Sequence, residues 1–571
     1  MPSDIRIPSD VEVGRPTETP KRDPLSAKVW VDTNRVSSED KHHEVILRAL
    51  IGEMKDLTGV WAKVNGKAAL GGNFFCDVFK PNSKVTWDCF DQVQLYYTLT
   101  ELQMKLVDLG IDVKHIVGKP HGEKFHAVVA HANAVEDMNA WFSPQSEELT
   151  FGTSQDAWHL ASDSDISIHE FGHYLLHHMN KSLTGWYARE GRSIHEGFAD
   201  SLAAFRADDP EVSEDFPPAR GKPESKESGL RTVDNDLTLS EVGTEVHSRG
   251  RVYGGFFWSL KKQVEQKLIT RAASMREGSL SKDELSVISR NAADIMLKVL
   301  VNPSAFYTTR RPEPADFIKA MLAGTEALLK TDDSIGIPFD EFSEMIISEG
   351  IKREMIKSGS EVEPLKTEMS FDSPINLQDL INSYNRLSDR IEFKLDSSVR
   401  LSGGGRESYQ EYFIAKVNGE EVRIKVLGSG FYVHLDEKGM AAQVSGGDIR
   451  VLEADDLNQE VAYSKSEALN LVRMTARKVF LRTEAQFERA RVIRMRTGNG
   501  TDIFKKAQME YRIAREAIKK AETSIAPKVE YVIMPDGSSK DIHYEFKMGL
   551  SLYYVNARTG LVTIKRDVLW D

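Results

Sequence analysis

The chain has 571 residues, 40% hydrophobic and 28% charged, with a formal net charge of −13 from 74 Lys+Arg against 87 Asp+Glu. One hydrophobic core does not normally serve that length, so about two to four domains are expected. The acidic balance argues against nucleic acid or an anionic membrane as partner, since either needs a basic face, and no apolar run reaches the ~18–20 residues of a bilayer span.

Residues 1–26 are polar, charged and Pro-rich. They read as a disordered tail without the apolar core of a secretory signal. From 27 to about 155 strand-like stretches (28–32, 125–130, 148–151) surround one good helix over 91–109. Its apolar stripe is Val93, Leu95, Tyr96, Leu99, Leu102 and Leu106, and Gly110 stops it. Cys76 and Cys89 lie between aromatic segments and form no CxxC pair. One disulfide in an oxidising compartment and two buried thiols are both open. Helical periodicity then dominates from 160 to about 350, over 165–179, 193–206, 253–268, 282–301 and 314–329. A sheet-rich lobe followed by a helical lobe predicts a cleft where they meet.

A polar stretch at 357–370 predicts a linker. Beyond it short alternating strands (412–417, 421–426, 431–435) give way to a helix over 464–477. A charged helical pair is expected over 482–526 around Gly498–Gly500, then a closing strand pair near 551–565.

The chemistry concentrates in two segments. His169-Glu170-Phe171-Gly172-His173 fits HExxH. On a helix, residues four apart share a face, so both imidazoles reach one ion while Glu170 points beside it as general base. Ile194-His195-Glu196-Gly197-Phe198-Ala199-Asp200 begins a second helix. Glu196 supplies a third metal ligand, and Asp200, one turn on, accepts the other ring N–H of a ligand histidine. Three protein ligands leave the fourth position of a zinc ion to water, as catalysis requires. His195 sits about 100° round the helix from Glu196 and is expected to support the ligands rather than bind metal.

HExxH followed by ExxxD resembles the thermolysin and fungalysin families of gluzincin zinc metallopeptidases. Asn139-Ala140-Trp141-Phe142 is similar to the substrate-binding edge strand of those families, and Asp165 matches the acidic residue preceding their HExxH. Val246-His247-Ser248-Arg249-Gly250 resembles the segment carrying their second catalytic histidine, with weaker matches at Tyr187 and Arg231. The resemblance covers roughly residues 90 to 330.

It implies a zinc endopeptidase acting on proteins or peptides, with Glu170, His247 and Tyr187 catalytic and zinc on His169, His173 and Glu196. Asp200, His195 and Asp165 would lie behind the ligands. Asn139, Ala140 and Arg231 would hold substrate, Arg231 gripping a carbonyl on the leaving side. His195 departs from the Asn usual there. The acidic stretch Asp208, Asp209, Glu211, Glu214, Asp215 offers the oxygens a structural calcium takes, out of that family's calcium-binding register.

The fold expected is α+β. A two-lobed thermolysin-like domain over 27–356 and the linker precede an α+β module over 371–458 and a PepSY-like module over 459–571 carrying the charged helical insertion. The last rests on the helix starting near Ser464 and on Asn556-Ala557-Arg558-Thr559-Gly560-Leu561-Val562, which resembles the closing wording of PepSY domains. Such modules occur in the propeptides of these proteases, so the C-terminal region is expected to contact the cleft and limit access. Export to the periplasm or outside the cell is favoured by the resemblance. The competing readings are a gluzincin aminopeptidase, although its usual GxMxN-type segment is missing before His169, and a latent protease serving as a binding module.

Overall fold

A computed structural model describes residues 25–566 except 31–41, 52–55, 68, 69, 73, 77–83, 118–126, 137, 138, 154–158, 185–188, 214–229, 276–278, 303–311, 359–368, 386–389, 402, 403, 418, 419, 437, 446–460, 498–500, 524–528, 535–540, 549 and 550. β1 (Ser26–Trp30) and β2 (His42–Ile46) pair antiparallel at the start. They precede β3 (Leu57–Thr58) and β4 (Ala62–Asn65), in which Ala62 and Val64 are buried and Lys63 exposed, the two-residue period of a half-buried strand.

Helix α1 (Lys84–Asp108) starts about two turns earlier than the expected 91. The stripe itself is completely buried. Cys89, in its second turn, is disulfide-bonded to Cys76 with Cα atoms 5.7 Å apart, which decides between the two cysteine alternatives. After α2 (Val113–Val117) come β5 (Val128–Val135), β6 (Ala140–Ser143) and β7 (Glu148–Gly152). These complete a five-stranded sheet in the order β3-β4-β5-β7-β6, with β6 antiparallel to β7 at the edge.

The helical lobe follows. It comprises α3 (Ser164–Met179), α4 (Arg189–Ala207), the short pair β8 (Glu211–Val212) and β9 (Arg231–Thr232), α5 (Val246–Ser274), α6 (Lys282–Leu300), α7 (Pro314–Thr331) and α8 (Phe339–Lys352). Local chemistry sets several starts. Asp163 caps α3 by accepting the Ile166 N–H at 3.0 Å, Ser281 and Glu284 make a capping box on α6, and Pro314 opens α7 where its missing N–H costs nothing. One continuous core from Ala27 to Ile356 joins sheet and helices. Every residue of α3 is buried, as expected for a helix that lies inside that core.

The rest of the chain is built on one sheet: β10 (Met369–Ile375), α9 (Leu377–Asn385), β11 (Ile391–Leu401), β12 (Gly404–Val417), β13 (Glu420–Leu435), β14 (Ala441–Ser445), α10 (Lys465–Thr497), α11 (Thr501–Thr523), β15 (Val529–Ile533), β16 (Ile542–Met548), β17 (Ser551–Asn556) and β18 (Val562–Arg566). β10 begins inside the stretch read as linker. The two strands expected over 421–435 are one, β13, and it pairs in parallel with β15 through Ile424, Lys425 and Val426, so the sheet runs across residue 458. Ala468, Val472 and Ala476 of α10 and Ala517 and Ala521 of α11 share a core with Phe413, Phe431, Tyr544 and Tyr553 of the sheet.

This module meets the preceding lobes directly. Arg406 of β12 donates a hydrogen bond to the Met179 carbonyl at the end of α3, and its guanidinium lies 4.5 Å from the ring centroid of Tyr432. The Tyr432 hydroxyl donates to Asn180 Oδ1 at 3.2 Å. From α11, Arg512 lies 4.8 Å over the ring of Trp141 in β6. The architecture is α+β, and no helix among the described residues is long and apolar enough to cross a membrane.

Candidate metal centre

Helices α3 and α4 approach closely because a glycine permits it. A Cβ on Gly172, the fourth residue of the HExxH motif, would lie 2.8 Å from the Ala199 Cα. Behind the site α5 closes on α4 in the same way, since a Cβ on Gly250 would lie 2.4 Å from the Glu196 Cβ. Substitution at either position would force apart helices that carry site residues.

His169, His173 and Glu196 converge, all about 1% exposed. Glu196 Oε2 lies 3.6 Å from His169 Nε2 and 3.7 Å from His173 Nε2. A tetrahedral zinc with bonds of about 2.0–2.1 Å separates its ligands by roughly 3.4 Å, so the three atoms fit such an ion. The electrostatics agree. Neither oxygen of the buried Glu196 carboxylate accepts a hydrogen bond, and a cation seated among the imidazole nitrogens would satisfy it.

The far ring nitrogens are held. His169 Nδ1 donates to Asp200 Oδ1 at 2.8 Å, which directs the Nε2 lone pair at the site. His173 Nδ1 lies 3.4 Å from His195 Nδ1. Burial and the neighbouring charge of Arg192 push His195 down to about 3, so it is neutral and able to accept that proton. Among the described residues this is the one cluster of three or more His, Cys, Asp or Glu able to hold a metal.

No family model, curated protein or solved structure matches this chain.

Glu170 is wholly buried one residue after His169. His247, in the first turn of α5, brings Nε2 to 3.8 Å from Glu196 Oε2 while Nδ1 hydrogen-bonds Glu245. Glu245 escaped the sequence reading. It caps α5 by accepting the N–H groups of His247 at 3.1 Å and Ser248 at 2.8 Å. Burial pushes its carboxyl up, but these bonds outweigh that and hold it at about 2. Its signal was an acidic residue at a helix start two residues before a histidine. Glu190 also escaped notice. It binds Arg249 at 2.7 Å and the Tyr253 hydroxyl at 2.6 Å, fastening α5 to α4.

Arg231 reaches Asp200 Oδ1 at 3.0 Å, joining the His169–Asp200 pair. Asn139 precedes the edge strand that Ala140 opens, the Asn139 carbonyl accepting the Gly152 N–H at 2.9 Å. Asp165 accepts the Ser213 N–H at 2.9 Å and so ties the segment after α4 to the start of α3. Tyr187, Glu214 and Asp215 lie outside the described residues. Of the acidic stretch, Asp208 pairs with Lys261 at 2.8 Å and Asp209 accepts the Glu211 N–H at 3.0 Å.

Proposed function

We propose that this chain is a zinc-dependent peptidase, built in two lobes of thermolysin-like arrangement with a C-terminal module of PepSY-like kind. The observation that carries the reading is Glu196, a buried carboxylate without a hydrogen-bond donor, facing imidazole nitrogens at 3.6, 3.7 and 3.8 Å. His169, His173 and Glu196 would hold the metal. When bound, zinc supplies Lewis acidity that brings the pKa of a water towards ~7 and positive charge beside a developing oxyanion.

The protein's own groups do the rest. Glu170 takes a proton from the attacking water onto its carboxylate and gives it to the leaving amine. His247, oriented through Nδ1 by Glu245, presents Nε2–H to the oxyanion, with Tyr187 as a second donor. Arg231, steadied by Asp200, holds a substrate carbonyl on the leaving side. Asn139 and the backbone at Ala140 align an extended peptide along β6. Export is part of the proposal, and the Cys76–Cys89 pair suits an oxidising compartment.

The test is metal content together with hydrolysis of unfolded casein and of short peptides. We expect one zinc per chain, cleavage by the wild type, and a Glu170→Gln variant that keeps zinc while losing hydrolysis by about 10² or more. Wild-type protein without zinc, or a Glu170→Gln variant within about tenfold of wild type, refutes the reading.

A further inference from the structure

We infer that the docked C-terminal module closes one end of the active-site groove, so that the substrates are peptides with few residues on the N-terminal side of the cut bond. The inference rests on the peptidase reading and narrows it.

The groove has a direction set by α3. At the N-terminal side of its motif Asp200 joins His169 to Arg231. Beyond His173, the adjacent Tyr174 and, one turn on, His177 pack on Phe142 of β6, with ring centroids 5.9 and 5.3 Å apart. At the helix end Met179 and Asn180 carry the contacts to Arg406 and Tyr432. The module therefore stands at the end of the site opposite Arg231. In the mechanism above Arg231 marks the leaving side, which takes the residues C-terminal to the cut. The walled end takes those N-terminal to it.

Exposure separates the two ends. The side chains of His247 and Glu245 are 26% and 56% exposed, so the site opens on the α5 side. Strand β6 is an edge strand, and edges ordinarily meet solvent, yet Ala140, Trp141, Phe142 and Ser143 are 2%, 7%, 0% and 7% exposed. Arg512 of the α10–α11 hairpin lies on Trp141. The wall is fixed, because undocking would uncover Arg406 and Tyr432, 1% and 0% exposed, and remove their partners at the end of α3.

The experiment uses zinc-loaded full-length protein and nested peptides around one scissile bond, lengthened residue by residue on either side. Mass spectrometry reads cut position and kcat/KM. Lengthening the N-terminal side is expected to lower kcat/KM by about tenfold or more once the wall is met, and lengthening the C-terminal side to leave it within about threefold. Arg512→Ala, and a second variant in which a short Gly/Ser turn replaces residues 485–512, should relieve the N-terminal loss alone. Equal tolerance of both extensions by the full-length protein, or a loss that neither variant relieves, overturns the inference and leaves the peptidase reading standing. Failure to hydrolyse any peptide, by protein that holds zinc, counts instead against the peptidase reading.

Discussion

Replacing Asp200 by Asn changes almost no volume but removes a charge on which two site residues converge. Asp200 is 2% exposed, and its Oδ1 receives His169 Nδ1–H at 2.8 Å and Arg231 at 3.0 Å. The Asn oxygen can still accept from His169, but as a neutral acceptor. A hydrogen bond to a charged group is worth about 1.5–3 kcal/mol and a neutral one about 0.5–1.5, so the difference is roughly 1–2 kcal/mol. At 1.4 kcal/mol per decade that is about 5–30-fold in zinc affinity, overlapping the ~10–100-fold typical of losing a group that orients a ligand histidine. Zinc affinity is measured by competition with a chromophoric chelator at neutral pH, with thermal unfolding of the metal-free protein as the control for folding. We expect weaker zinc, a near-native metal-free melting curve, and a further loss of kcat/KM because Arg231 has lost its anchor. Zinc affinity within about twofold of wild type would mean that Asp200 does not set the basicity of His169, and the argument from the His169–Asp200–Arg231 chain would fall.

His247→Ala should lower kcat by about 10²–10³ with little change in KM, since the oxyanion it meets exists only in the transition state; steady-state kinetics showing a KM effect alone would make it a ground-state contact. Glu245→Gln should flatten acid destabilisation. A carboxyl held at about 2 against an ordinary 4.5 contributes stability that is present above 4.5 and lost as pH falls through about 2. The effect is small for a half-exposed group, and melting curves between those limits that run parallel for variant and wild type would refute it.

The helices bearing His169, His173 and Glu196 were legible because their signal is local: the spacing in HExxH and in ExxxD defines a face whatever surrounds it. The long stripe of α1 was legible for the same reason. Strand β13 was not, because the expected strands over 421–426 and 431–435 are joined across a bulge, with β12 pairing on both sides of it, β15 before it and β14 after it. Helix α10 extends to Thr497, far beyond the expected end at Arg477, since Phe480 and Phe487 pack on Tyr511 of α11 rather than on the sheet that its first turns cover. Arg406 was illegible for a different reason. It has an ordinary polar sequence context, and only tertiary placement turns it into a cap on α3.

That cap bears on the order in which the protein is made. Met179 and Arg406 are 227 residues apart. At ~5–20 residues per second a ribosome spends roughly 10–45 s between them, and during that interval the HExxH helix has no partner at its end. Trp141 of β6 likewise lacks Arg512 until α11 has emerged. The nascent chain thus carries His169, His173 and Glu196 long before the contacts that hold the end of α3 exist.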